Sequence, residues 1–325
     1  MNYWRLSAGT AAVVAGRVTR SEAPPTTAYV MLGEKCRNNC RFCTQARESH
    51  AAAHMLSRVT WPAAEAAGTI IGIDAAYVAG RIKRACLQVV HDGDDRERAA
   101  EAVAALSALS GVPVCVSSHL EAVNDARRLA VAGAERICVA LDAATPAVYR
   151  DTKEGDWHDR WRLLTECAAA LPGRVTTHLI VGLGETEEEM ADTLAACIDK
   201  GVTVGLFAFT PVKGTAWAGM AAPTVGQYRR VQVAHHLLRQ GYGREAIICR
   251  GGAIGGFAVD GLAELLADGA AFRTSGCPDC NRPYYNERPG GVMYNYPRPL
   301  SAAETARAID ECGVIGGGAC AVAGD

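Results

Sequence analysis

Short β-branched and apolar runs alternate along the chain with longer stretches in which apolar residues recur every three or four positions. The short runs predict strands at 27–33, 85–90, 114–118, 135–142, 174–181, 203–210, 245–250 and 270–275. The Ala- and Leu-rich stretches at 95–110, 119–132, 159–171, 186–200, 224–240 and 258–268 have the one-sided period of helices that cover a core. Strand–helix alternation implies a parallel sheet, and eight strands are the number that closes one into a barrel. The expected fold is therefore α/β, a (βα)8 TIM-type barrel. No linker, repeat or composition break divides the chain. Its expected organisation is a lead-in over 1–26, the barrel over 27–275 and a C-terminal extension over 276–325 that ends in a frayed Gly-rich tail from Gly316.

Composition narrows the class. The apolar fraction of 49% fits a globular protein with a full core. A net charge of −2 gives no basic field for nucleic acid or an anionic membrane, so neither is an expected partner. No apolar stretch reaches transmembrane length, and the first residues lack the basic-then-apolar build of a signal peptide. Thirteen cysteines without an export signal point to metal chemistry in a reducing cytoplasm, not to disulfides.

The densest chemistry lies at Cys36, Cys40 and Cys43, spaced C-x3-C-x2-C with Phe42 just ahead of the third. Thiolates this close suit an iron–sulfur cluster, and three ligands on a four-iron cluster leave one iron open. A structural zinc site wants four ligands, usually as two separated pairs, and no fourth stands nearby. The motif follows the apolar run 27–33, so its loop leaves the end of a first strand, where catalytic groups of such barrels sit. This segment resembles the radical SAM enzymes. The resemblance implies a 4Fe–4S cluster on the three cysteines and S-adenosylmethionine (SAM) on the open iron. It also implies an electron donor such as flavodoxin or ferredoxin, whose electron cleaves the sulfonium to a 5′-deoxyadenosyl radical.

Beyond the triad, residues from about 27 to 275 resemble biotin synthase. The likeness is carried by Asn39-Cys-Arg-Phe-Cys-Thr-Gln-Ala-Arg47, Cys115-Val-Ser-Ser-His-Leu120, Leu141-Asp-Ala-Ala-Thr-Pro-Ala-Val-Tyr149 and Ile180-Val-Gly-Leu-Gly-Glu-Thr186. That family keeps a second, sulfur-donating cluster deep in the barrel, on three cysteines and an arginine. Cys86 and Cys115 fall on two of the cysteine positions, Thr176 stands at the third, and the arginine position falls near Cys249-Arg250. Cys277 and Cys280, in a Cys-, Arg-, Tyr- and Pro-rich segment over 275–298, offer replacements and are expected at the barrel mouth. This segment, with 56–62, resembles the biotin-synthase-like proteins that act as two-protein lipoyl synthases. Single-chain lipoyl synthase has a further cysteine trio upstream, and no cysteine precedes Cys36.

The resemblance implies further site residues. Arg160 aligns with the arginine that pairs with the SAM carboxylate, a role suited to its forked donors; its alternative is a solvated helix arginine. Asp142 and Lys153 lie in the region that holds the SAM ribose, although Asp142 could instead cap a helix. Phe42 belongs with the cofactor contacts. His178 and His119 are either SAM or substrate contacts or hydrogen-bonded core histidines, and His235-His236 are read as surface or packing. Tyr284–Tyr296 is either a lid over the substrate or packing, and Cys138, Cys167 and Cys197 are read as small buried hydrophobes. The expected function is radical SAM sulfur insertion with an auxiliary Fe–S cluster, acting as a lipoyl synthase component. Its expected partners are an octanoylated acceptor protein or peptide and a second synthase subunit. The alternatives are biotin synthesis from dethiobiotin and, in another class, a non-catalytic Fe–S electron carrier or scaffold.

Overall fold

The apolar runs do build a mostly parallel eight-stranded sheet, but its last two strands come from an unexpected part of the chain. The computed structural model describes residues 3–17, 23–287 and 290–315; the expected frayed tail from Gly316, with Cys320, lies outside the described residues. The strands are β1 (Tyr3–Leu6), β2 (Thr27–Leu32), β3 (Met55–Leu56), β4 (Val59–Thr60), β5 (Ala63–Glu65), β6 (Arg84–Val89), β7 (Val114–Ser117), β8 (Ala134–Cys138), β9 (Val175–Val181), β10 (Thr203–Ala208), β11 (Ile247–Arg250) and β12 (Ala253–Phe257). The main sheet has the order β10-β9-β8-β7-β6-β2-β1-β5. Within it β2 and β6 to β10 are parallel, whereas β1 lies antiparallel between β2 and β5. The α/β class and the barrel-like arrangement of strands and helices stand.

Two expected strands are corrected. The run at 245–250 does contain β11, but it pairs antiparallel with β12 in a separate hairpin. Gly251 and Gly252 take φ of 58° and 82°, and a two-residue turn with positive φ at both centres sends the chain straight back. A parallel strand would need a long crossover instead. The run at 270–275 forms a single 3-10 turn, Ala270–Phe272, and one isolated bridge from Arg273 to Tyr296.

Side-chain alternation in the strands decides what faces where. Ala28, Val30 and Leu32 of β2 point outward into the helix-side core, which also holds Ile73, Leu106, Leu164 and Leu194. Tyr29 and Met31 point the other way, into the interior, with Trp61 and Cys86. The helices begin where their side chains can cap them. Thr145 caps Pro146–Thr152 with proline in the first turn, and Thr186 and Glu189 form a reciprocal capping box on Glu187–Asp199.

A second core joins helix Val225–Arg239 to the C-terminal segment through Val233, Leu237, Phe272, Tyr296, Ala308 and Cys312. Arg229, 1% exposed, ties the two together. It donates to Glu311 Oε2 at 2.9 Å and to the carbonyls of Tyr294 and Met293 at 2.7 and 2.6 Å. No helix among the described residues is long and apolar enough to cross a membrane.

Candidate active site

The loop after β2 carries Cys36, Cys40 and Cys43 and is tied down by its own backbone. Cys36 N–H donates to Gln45 O and Cys43 N–H to Cys40 O, both at 3.0 Å. Arg41 N–H donates to Thr152 O at 2.9 Å, and Trp217 N–H to Arg41 O at 3.1 Å, which anchors the loop on two sides. Burial first, and for Cys43 the neighbouring thiols next, push Cys40 up to about 11 and Cys43 up to about 12. Three such thiols ionise together only where a metal centre draws off their charge, so the donor set fits an iron–sulfur cluster. Phe42 packs beside Tyr149, Leu183 and Phe209 and lines the interior cavity below the triad.

The three cysteines share a cavity of about 200 Å3 with His91, His119, Asp142, Lys153 and Arg160. Asp142 follows β8 with φ of 66°, a left-handed conformation unusual for a residue with a Cβ. Its carboxylate pairs with Lys153 Nζ at 2.6 Å, and Lys153 also donates to Ala140 O at 3.1 Å. Arg160 Nη1 donates to Leu120 O at 2.9 Å, and its Nη2 lies 3.4 Å from His119 Nδ1. Burial, then the Arg160 charge, hold His119 down to about 4, so its imidazole is neutral. His119 stacks on His91 at 4.1 Å, and His91 Nδ1 meets the buried Asp95 at 3.0 Å. Sequence reasoning missed His91, although a histidine at the C-terminal end of a barrel strand was a usable signal.

Below this mouth lies an interior cavity of about 250 Å3, lined by Phe42, Leu56, Trp61, Phe207, Phe209 and Tyr285 among others. His178 lines it, neutral because burial holds it down to about 4, with its ring edge-on to Phe207. The floor is set by strand register: Tyr29 stands opposite Cys86, Cys86 opposite Cys115, and Cys115 opposite Arg136. Cys277 and Cys280 join them from the loop after residue 274. Tyr29 Oη lies 3.4 Å from Cys280 Sγ and accepts Arg282 N–H at 2.7 Å. Cys277 hydrogen-bonds Cys115, and that bond, with the charges of Arg84 and Arg282, brings Cys277 down to about 7. The same bond, and then burial, push Cys115 up. Burial, then Cys280 and Cys277, push Cys86 up.

This geometry corrects the expected position of the Cys-x2-Cys pair. The loop meets Thr26, Thr27 and Lys83 through Asp279, and these residues stand at or just before the starts of β2 and β6. The four cysteines therefore meet low in the barrel, at its N-terminal floor, not at the mouth. Arg250 lies on the outer β11–β12 hairpin; the arginines whose charge reaches the floor are Arg84, whose Nη1 is 2.6 Å from Cys115 Sγ, Arg282 and, more weakly, Arg136. Cys138 is buried as expected, and it faces inward on β8, beside Thr176 in register and 3.7 Å from His178 Nε2. Cys167 and Cys197 pack in the helix-side core as expected. Tyr285 lines the cavity, while Tyr296 packs in the C-terminal core. Among the described residues no three His, Cys, Asp or Glu converge tightly enough for a single metal ion. A four-iron cube is wider than an ion, and its ligand sulfurs stand farther apart.

Residues 30–197, just over half of the 325, match the Radical SAM superfamily model. Among solved structures, the chain is similar to the FeFe-hydrogenase maturase HydG from Carboxydothermus hydrogenoformans, with a TM-score of 0.53 and 15% identity over 67% of this chain and 52% of that one. It is also similar to methylornithine synthase (PylB), with a TM-score of 0.52 and 17% identity over 65% of this chain and 61% of that one. The chain thus spans about half the length of the maturase, and at these identities the likeness is one of fold. No curated protein matches the chain significantly. With its triad in the loop after the first parallel strand, a cavity beside it and the family match across that region, this chain belongs to the radical SAM superfamily, whose members bind a 4Fe–4S cluster and SAM.

Proposed function

We propose that the protein is a sulfur-inserting radical SAM enzyme that acts on an octanoyl chain carried by a lysine of an acceptor protein, as one component of a lipoyl synthase. The observation that carries this reading is that Cys86, Cys277 and Cys280 line the bottom of an apolar, aromatic-lined cavity that runs up to Cys43, with Cys115 beside Cys86 and Cys277. A second Fe–S cluster on that floor would be a sulfur source facing the substrate. An electron carrier or scaffold has no use for a substrate-sized cavity.

When bound, the upper cluster and SAM supply a radical able to take hydrogen from an unactivated C–H bond. The chain's own residues do the rest. Arg160, oriented by His119 and Leu120 O, presents a fork for a carboxylate, here that of SAM. Lys153 holds Asp142 in a left-handed turn beside the cavity, and the carboxylate would accept a ribose hydroxyl of SAM. Phe207, Phe209, Trp61 and Tyr285 exclude water and fit an alkyl chain.

The direct test incubates the reduced, reconstituted protein and SAM with an octanoyl-lysine peptide or with dethiobiotin, followed by mass spectrometry. We expect sulfur on the octanoyl chain, at one carbon if a second subunit completes the product. Sulfur on dethiobiotin alone would replace this reading with biotin synthesis.

A further inference from the structure

Two arginines line the cavities without a carboxylate in ion-pair reach among the described residues. Arg160 at the mouth is one, and Arg282 at the floor is the other. By contrast Arg84, Arg229 and Lys153 are paired, with Glu135 at 2.8 Å, Glu311 at 2.9 Å and Asp142 at 2.6 Å. Through its guanidinium, Arg282 hydrogen-bonds no carboxylate. Its Nη2 donates to Ser275 O at 2.9 Å and more weakly to Leu206 O at 3.4 Å, and its guanidinium lies 4.0 Å from the Phe207 ring centroid. Enclosing a cation is costly, and the groups placed to offset its charge are Cys280, Tyr29 and Cys277 of the floor.

The chain adopts an unfavourable backbone to place this cation. Asp279, Arg282 and Tyr284 all take positive φ, at 58°, 36° and 60°. Such residues persist where surrounding contacts over-determine them, and here Tyr29 Oη, the Lys83–Asp279 pair and the Asn281 contact with Thr26 N–H hold the loop. The same turn presents Cys277 and Cys280.

We propose that Arg282 is the counter-cation of the floor site. It balances the negative charge of a cluster held by Cys86, Cys115, Cys277 and Cys280, is not itself a ligand, and raises that cluster's reduction potential. This rests on the floor-cluster reading above. Four cysteines complete a cluster's ligand set, which frees the guanidinium to act through charge, and net charge is one of the levers on cluster potential. The arrangement departs from the three-cysteine, one-arginine set implied by the resemblance to biotin synthase.

The test uses the full chain carrying Cys36→Ala, Cys40→Ala and Cys43→Ala, so that only the floor site reports. Arg282→Lys and Arg282→Gln are added separately, and each protein is reconstituted anaerobically and titrated by EPR-monitored reduction. Both should keep the parent's iron and absorbance. The Lys protein should titrate near the parent, and the Gln protein should shift to a more negative potential. Unshifted titration of the Gln protein would overturn the proposal. So would equal loss of iron from both, since Lys retains the charge and such a loss would make Arg282 a ligand or a structural prop. A parent without iron would instead refute the floor cluster itself.

Discussion

At the residue scale the mouth of the barrel offers a sharp test. Replacing Arg160 with Lys keeps the charge and removes the fork that His119 and Leu120 O orient. Losing one charge-assisted hydrogen bond costs about 1.5–3 kcal/mol, so SAM should bind roughly ten- to a hundredfold more weakly. Equilibrium dialysis with reconstituted protein measures this, and unchanged affinity would remove Arg160 from the site. A second residue-scale effect concerns stability. His235 is 3% exposed, and burial holds it down to about 3, below the 6.5 of free imidazole. The unfolded chain therefore takes up this proton first. The contribution is full above about pH 6.5 and is lost as pH falls towards 3, at roughly 1.4 kcal/mol per pH unit. His235→Gln should flatten the fall in Tm between pH 6.5 and 4.5, and parallel curves would contradict this. The cysteine triad was legible because its spacing is local. Arg84, Arg282 and His91 were not, because an arginine or histidine acquires its meaning from what the fold sets beside it.

Elements were legible where one period dominates. The buried run of β2, the inward Cys86 and Cys115 and the helix patterns follow from alternation and from i, i+3, i+4 spacing. The misread elements had countersignals in the sequence. Arg250-Gly-Gly-Ala253 is a hairpin turn, and reading 245–250 as a barrel strand ignored it. Ala270-Ala-Phe-Arg-Thr-Ser275 is poor in β-branched residues, and Gly269 opens it with φ of 70°. The strand β1 was missed because Tyr3–Leu6 is short and its partner β5 lies far along the chain. One element-scale consequence is measurable. Thr186 Oγ1 caps Glu189 N–H at 3.1 Å while Glu189 reaches back to Thr186 N–H at 2.8 Å. Thr186→Ala should lower stability by about 1 kcal/mol, seen as a lower urea midpoint at unchanged slope. A midpoint equal to the parent's would show that the helix start is held by its packing alone.

At the scale of the whole molecule, the chain closes its interior from both ends with different means. The triad loop covers the strand ends, and the C-terminal loop seals the floor and lies along β10, where Ser275 Oγ accepts Leu206 N–H at 2.9 Å. Arg229 holds the segment behind that loop. Arg229→Leu would leave Glu311 and the Met293 carbonyl without this donor, and the Tyr294 carbonyl with Gln232 Nε2 alone, at a cost of roughly 3–5 kcal/mol. Limited proteolysis should then cut the 290–315 region faster than in the parent, and equal rates would show that the apolar contacts suffice.

The central claim is that one barrel holds two Fe–S sites, the triad at the mouth and four cysteines at the floor. Iron quantification and absorbance of the Cys36→Ala, Cys40→Ala, Cys43→Ala protein after anaerobic reconstitution address it most directly. The protein should stay brown and keep about one cluster's worth of iron, lost on further replacement of Cys277 and Cys280. A colourless, iron-free triple variant would contradict the second site and with it the sulfur-inserting function.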